Sequence, residues 1–400
     1  MNAPACDALL TYGWVRSSYT ALRSLNRLGL RVGVSDASAV GMCQWSRLKS
    51  WVGRYAPPLT EPDQFVRDVV GHLEQSGAHF LLPGHDETEV LARYRHELPN
   101  GVILPVAEYE KVALANDKAR TADLAGRLGL PTPRRIAWQE PGELEGILRG
   151  ADFPLVVKLR RGNSAKGVFY PPDPLSAARL CLELIHEHSL QPRRYPLIQE
   201  RVTGEGWGVS CLYWQGERIA SFTHHRLREK TATGGTSTLR ESRRNPLLEG
   251  YAHALLDSLG WHGLAMVEFK YDPQKQRGWF IEVNPRLWGS IHLAVAAGVD
   301  FPALVYVAAT HGASAARAQA HEQQVGVIAR WQLGELIAAA GELKNLHLGR
   351  ALRTLKPGGS DTLDDWFWDD PGAFFGQAAY YLFSLVKTRS LNPHLEGMLG

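Results

Sequence analysis

Cysteine is scarce in this 400-residue chain: Cys6, Cys43, Cys181 and Cys211 lie far apart and form no CxxC pair. A disulfide framework and a cysteine-built zinc site are thereby excluded, and reduced, buried thiols are expected. An excess of one charge is also missing, because 44 Lys and Arg stand against 41 Asp and Glu. With no block of like charge either, nucleic acid is excluded as a partner. The N-terminus has no basic-then-apolar leader, since Asp7 interrupts it early, and the most apolar late stretch, residues 374–386, is too short to span a bilayer. No G-x-x-x-x-G-K-[ST] and no G-x-S-x-G occur, so a Walker-type phosphate loop and a hydrolase nucleophile elbow are both excluded. His321-Glu322 opens like a zinc-protease motif, but Val325 stands where the second histidine is needed. A cytoplasmic enzyme or binding protein is what these absences leave.

The composition, 44% apolar and 21% charged, is that of an ordinary globular chain, and its length predicts two or three domains. The first hundred residues alternate in type. Strands are predicted over residues 8–12, 30–34, 79–83 and 104–106, and helices over 19–28 and 88–98. Strand–helix–strand order with short connections predicts a parallel, doubly wound sheet. Asn116-Asp117-Lys118-Ala119-Arg120 comes next, followed by an amphipathic helix to about Leu128 that Gly129-Leu130-Pro131 stops. Beyond it the order predicts an α+β region on a largely antiparallel sheet. Its strands are read at 154–158, 168–170, 197–202, 209–214, 219–223, 264–271 and 278–284, and its helices at 174–188 and 247–259. The last eighty residues read as mostly helical, with 331–343 and 372–386 the clearest segments.

The most informative segment is Ala265-Met266-Val267-Glu268-Phe269, a polar turn, and Trp279-Phe280-Ile281-Glu282-Val283-Asn284-Pro285-Arg286. A hairpin centred on Lys275 sets Glu268 directly opposite Glu282, and strand alternation puts Asn284 on the same face. Two facing carboxylates inside apolar strands repel unless something offsets them. A hard divalent cation does so, and carboxylate and amide oxygens are ligands that Mg2+ (or Mn2+) accepts. Because Mg2+ shares its shell with phosphates, this half-cage points to a nucleotide. Arg286, just past Pro285, would bind a phosphoryl oxygen or a substrate carboxylate through its planar fork.

Lys158 ends the buried run Leu155-Val156-Val157, and the glycine-punctuated loop Gly162-Asn163-Ser164-Ala165-Lys166-Gly167 follows it. Such a loop can lay backbone N–H groups over phosphates. Lys118, just ahead of a helix, reads by itself as an exposed charge or as a second cation for the same anion. Gly204-Glu205-Gly206-Trp207-Gly208 imitates a dinucleotide motif, but a strand follows where that motif needs a helix, and NAD binding is rejected.

Taken in order, these segments resemble the ATP-grasp superfamily, in its carbamoyl-phosphate-synthetase-like, carboxylate–amine ligase branch. The order is Asn116-Asp117-Lys118, Val157-Lys158, the glycine loop, Gln199-Glu200-Arg201-Val202, Gly204-Glu205, Met266-Val267-Glu268-Phe269 and Ile281-Glu282-Val283-Asn284-Pro285-Arg286. The resemblance implies an ATP-grasp fold of mixed α/β and α+β class: a Rossmann-like pre-ATP-grasp domain at 1–112, an ATP-grasp domain at 113–312 (subdomains about 113–195 and 196–312), and a helical C-terminal region at 313–400. It implies that ATP and Mg2+ are cofactors. Lys118 and Lys158 then hold the ATP phosphates, with Gly162, Ser164 and Gly167 in the loop beside them. Gln199, Glu200 and Val202 form the adenine hinge, and Glu205 binds ribose hydroxyls. Glu268, Glu282 and Asn284 are the implied metal ligands, and Arg286 is implied beside the transferred phosphoryl group. Arg160-Arg161 ahead of the loop depart from the small residues common there.

The implied reaction is attack of a carboxylate on the γ-phosphate, giving an acyl phosphate that an amine displaces. Carboxyphosphate or carbamoyl chemistry and a non-catalytic ATP-binding module are the alternatives. Substrate selection is expected from a mobile polar loop, residues 231–238 with Arg240, set beside His224-His225-Arg226. In the first domain Asp86 either faces substrate or caps a helix with Glu89, and Ser17 and Ser18 read as cap or anion site. The aromatic C-terminal segments read as core or subunit packing, or as a lid. The expected partners are small carboxylate and amine substrates, with a homodimer left open and neither nucleic acid nor a membrane span expected.

Overall fold

The computed structural model describes residues 6–162, 167–231, 234–344, 346–355 and 359–388. Its first sheet is parallel, in the order Lys49–Arg54, Val32–Asp36, Ala8–Leu10, Phe80–Leu82. The last three strands are buried along their whole length, as parallel strands covered on both faces must be. Helix Arg16–Arg27 connects the first two in sequence and ends at Gly29, whose φ of 83° supplies the left-handed stop. The reading of residues 104–106 as a strand does not hold, since Ile103 and Val106 make only isolated bridges, to Phe80 and Gly263. Strand Lys49–Arg54 and helix Pro62–Ser76 add to the predicted elements. The strand is a half-exposed edge without clean alternation, whereas the helix carries ordinary signals, a proline in its first turn and Gly77 at φ 72°.

Two further sheets are largely antiparallel. A four-stranded one runs Arg135–Ile136, Leu197–Glu200, Leu155–Lys158, Val168–Phe169. It packs on helices Leu144–Arg149 and Pro174–Glu187 around Leu148, Val157, Cys181 and Ile198. The other has seven strands in the order Arg277–Asn284, Gly263–Asp272, Glu205–Trp214, Glu217–Thr231, Gly234–Ser242, Ile328–Arg330, Thr362–Leu363. One of its faces joins the core with Leu9, Val66 and Leu91 of the first unit, through Val209, Cys211, Val267 and Phe269. The opposite face starts apolar, at Leu212, Leu264 and Met266, and then becomes polar toward Glu268 and Lys270. All four cysteines are buried and free.

Two more expectations are corrected. The segment expected as a mobile polar loop is a strand for most of its length: Gly234–Ser242 pairs antiparallel with Glu217–Thr231, and Ala232 and Thr233 lie outside the described residues. Its alternation is hidden in the sequence because the buried side chains are polar: Thr238, Arg240 and Ser242 all face inward. The C-terminal region is mostly helical as expected, with helices at Gln332–Lys344 and Pro371–Thr388, and it adds two short strands to the large sheet, one beside Gly234–Ser242. Asp86 does not cap helix Glu87–Arg93, since its backbone is itself helical and its side chain makes no cap hydrogen bond. Among the described residues no helix is long and apolar enough to cross a membrane.

Candidate active site

The hairpin sets Glu268 opposite Glu282 and Met266 opposite Asn284, but not by the simple symmetry read from the sequence. Near the turn the pairs are Tyr271 with Gly278 and Lys270 with Trp279, one residue out of step with the pairing at the carboxylates. A bulge between Glu268 and Phe269 makes up the difference. Without it Glu268 would oppose the apolar Ile281, and Glu282 would turn to the other face. Asn284 Nδ2 donates to Glu268 Oε1 at 2.8 Å, locking the two side chains together.

Glycines on the neighbouring strand open the space in front of these groups. Gly206 pairs with Lys270 and Gly208 with Glu268, so both point to the carboxylate face. A Cβ on Gly208 would lie 2.4 Å from His224 Cε1, and one on Gly206 would lie 3.1 Å from Arg226 Cδ. Through that gap Arg226 reaches across the Glu205–Trp214 strand to Glu268, Nη2 to Oε2 at 2.7 Å. Burial pushes the Glu268 carboxyl up and Arg226 opposes the shift. Burial would likewise raise Glu282, but Lys118 and then Lys158 outweigh it and hold that carboxyl down.

Lys118 Nζ lies 3.1 Å from Glu282 Oε2 and donates to Gly162 O at 2.6 Å. The helix it begins, Lys118–Arg127, is capped by Asp117, whose carboxylate accepts from the amides of Ala119 and Arg120 at 2.9 and 3.2 Å. Lys158 is buried at the end of its strand, and its pKa falls to about 8 through desolvation and the nearby Lys118 charge. The two lysines come from different elements, and a backbone bond from Lys118 N to Arg160 O, 3.0 Å, ties those elements together.

Lys118, Lys158, Arg226, Arg286 and the three oxygen donors line one cavity of about 740 Å³. Arg286 Nε donates to Asp86 Oδ1 at 3.1 Å. Burial tends to raise Asp86, but His85 and Arg286 hold its carboxyl well below the usual carboxylate range. His85, Tyr12 and Arg16 extend the wall from the carboxyl ends of the first sheet's strands, where parallel sheets place their crevices. Tyr12, at φ 56°, stacks on His85 with ring centroids 4.5 Å apart. Trp331, Gln377 and Tyr381 close this end from the C-terminal region, with Trp14 stacked on Tyr380. The cavity therefore has a charged end and an aromatic end.

Other site residues named from the sequence fall in different places. Gly162, Gln199, Glu200 and Val202 line the cavity. The amides of Glu200 and Arg201 are already bonded, to the carbonyls of Arg134 and Pro154, and Glu200 Oε1 accepts from Arg134 N at 2.8 Å. Ser164 lies outside the described residues. Gly167 and Glu205 are not on the cavity wall. Gly167 packs on Leu159, while Glu205 turns to His225, 3.3 Å away. Arg240 does not reach the cavity either. It is fully buried behind the wall, sharing the Asp364 carboxylate with Arg16 and donating to Ser237 O at 3.0 Å. Sequence reasoning misses Arg226, Arg16 and Trp331. For Arg226 a signal exists in the alternating glycines Gly206 and Gly208 of one strand, which leave a groove that a neighbouring long side chain can cross.

A family model described as "ATP-grasp in the biosynthetic pathway with Ter operon" matches residues 193–331. A carbamoyl-phosphate synthase from Methanobrevibacter smithii is 26% identical over 211 residues, covering 52% of this chain and 56% of that protein. The C-terminal section of a carbamoyl phosphate synthase large chain from Methanopyrus kandleri is 24% identical over 222 residues, 49% of this chain and 39% of that one. The chain thus spans about half or less of the length of these curated relatives. Among solved structures, the biotin carboxylase domain of Hydrogenobacter thermophilus 2-oxoglutarate carboxylase, a dimer in complex with MgADP, ADP and bicarbonate, superposes with a TM-score of 0.62 at 16% identity, covering 77% of this chain and 70% of that one. An L-amino acid ligase from Bacillus licheniformis gives 0.59 at 16% identity, with 76% and 74% covered.

Proposed function

From the match of residues 193–331 to an ATP-grasp family model, the likeness to carbamoyl-phosphate synthases and the shared fold, we propose that the chain is an ATP-grasp enzyme of the carbamoyl-phosphate-synthetase-like branch, an ATP-dependent ligase joining a small-molecule carboxylate to an amine. The observation that carries this reading is the meeting of Lys118, Lys158, Arg286, Glu268, Glu282 and Asn284 in one cavity. ATP and an acid are both anions, so the physical task is to hold them together and in line. Lys118 and Lys158 bind the phosphates, and the segment Gln199 to Val202 receives the adenine. Arg286, fixed by Asp86, presents its fork to the transferred phosphoryl group or the acid.

Glu268, Glu282 and Asn284 would hold Mg2+. The fit rests on their chemistry: three hard oxygen-bearing side chains share one face of the hairpin, and the two carboxylates pair with Arg226 and Lys118. The ion, when bound, supplies charge neutralisation on the phosphates. The acid's carboxylate oxygen attacks the γ-phosphorus as the bond to the β–γ bridging oxygen breaks, releasing ADP. The amine nitrogen then attacks the acyl carbon, phosphate leaves, and the nitrogen loses its proton to solvent. No side chain acts as a covalent nucleophile.

The aromatic end of the cavity, with Tyr12, Trp14, Trp331 and Tyr381, favours an organic acid with an apolar body over bicarbonate. The test is a panel of amino acids and other carboxylates, bicarbonate included, scored for ADP release and for acyl phosphate trapped by hydroxylamine. ADP release dependent on an organic acid supports the reading. Release with bicarbonate alone would shift it to carboxyphosphate chemistry, and no acid-dependent release would shift it to a nucleotide-binding module.

A further inference from the structure

A second recess, of about 430 Å³, lies beside the helix that begins at Lys118. Three separated segments supply its wall, and five of its eight lining residues are arginines. For a chain whose charges nearly balance overall, this local excess stands out. Two of the five are already engaged. Arg160 forks onto Asp117, Nε to Oδ1 at 3.1 Å and Nη2 to Oδ2 at 2.7 Å, and Arg161 pairs with Glu89 at 2.8 Å. The guanidinium groups of Arg120, Arg193 and Arg194 have no carboxylate within ion-pair distance among the described residues. Asp117 is the sole acid on the wall, and both of its oxygens are committed to Arg160. Leu159 and Leu190, both buried, provide an apolar floor.

We infer that this recess is a binding site for a small, multiply charged oxyanion, a phosphate compound or a polycarboxylate, distinct from the cavity proposed for ATP. Three guanidinium groups that line one recess with no carboxylate partner among the described residues repel each other, and a multivalent anion removes that cost. Their planar forks match the geometry of phosphate and carboxylate oxygens, which a single lysine-type point charge would not. The apolar floor excludes water from one side, strengthening the charge-assisted hydrogen bonds formed there. The site adjoins the larger cavity through Arg160, whose carbonyl accepts from the amide of Lys118.

Calorimetric titration of the full chain with inorganic pyrophosphate and with citrate tests the inference, each with and without saturating ADP to fill the larger cavity. Saturable binding of at least one anion that persists with ADP is expected, and the two arms tell phosphate from polycarboxylate recognition. Arg193→Ala/Arg194→Ala, and separately Arg120→Ala, are expected to weaken it by about tenfold or more for each guanidinium removed. These side chains are exposed and outside any core, so the variants fold. Lys158→Ala, in the other cavity, is expected to leave the affinity unchanged. The proposal is overturned if neither anion binds, if ADP abolishes binding, or if the loss follows Lys158 rather than the arginines.

Discussion

Replacing Glu282 by Gln separates the role proposed for this carboxylate from any part it plays in folding. The substitution keeps volume and removes one charge. Two effects on the fold oppose each other. Glu282 Oε2 sits 3.1 Å from Lys118 Nζ, an attraction of about 5 kcal/mol before desolvation at an effective dielectric of about 20. The facing Glu268, about 5 Å away by ordinary cross-strand spacing, repels it by about 3 kcal/mol on the same scale. Lys118 also keeps its bond to Gly162 O, so the fold is expected to lose no more than about 2 kcal/mol. Catalysis has no such compensation, because a preorganised charge at the phosphates is gone. ATP turnover is expected to fall by about 10²–10³-fold, with a higher Mg2+ requirement. Coupled measurement of ADP release across a Mg2+ titration, beside thermal unfolding without Mg2+, reads both quantities. Turnover within about threefold of the parent at the same Mg2+ concentration would refute the assignment of Glu282 as a metal ligand.

Lys158 carries a pH signature. Its pKa of about 8 in the fold lies below the ordinary lysine value of 10.5. The unfolded chain therefore holds the extra proton between about pH 8 and 10.5, and this group's contribution to stability rises with pH across that window, by about 3 kcal/mol in full. A phosphate beside Lys158 restores its charge, so nucleotide binding at pH 8.5 is expected to take up protons. Titrations in buffers of different ionisation enthalpy measure that uptake, and Lys158→Met should abolish it. Asp364→Asn leaves Arg16 and Arg240 buried without their shared carboxylate; a loss of about 3–5 kcal/mol in urea unfolding is expected, against the few tenths of a surface change. Gly208→Ala sets a methyl 2.4 Å from the His224 ring, which is itself buried. Overpacking should cost about 1–3 kcal/mol by the same measurement and weaken Mg-dependent turnover by displacing Arg226 from Glu268.

Local chemistry made much of this molecule readable. Strands flanked by glycine and proline, helices stopped at Gly29 and Gly129, and a carboxylate pair inside an apolar hairpin are all decided within ten or fifteen residues, where periodicity and turn preference act. Those signals sufficed for the ordered motifs, the parallel first sheet and the placing of Glu268 and Glu282 in one hairpin. Tertiary structure decided what depends on distant partners. The bulge that brings Glu282 onto the cavity face is not set by the turn, since the pairs next to the turn run one residue out of step with the carboxylates. Gly234–Ser242 is a strand because its inward side chains find charge partners such as Asp364, more than a hundred residues away. Arg240 is closed off from the cavity and Arg226 opened to it for the same kind of reason: a buried guanidinium goes where a carboxylate awaits it, and only the assembled sheet fixes where that is.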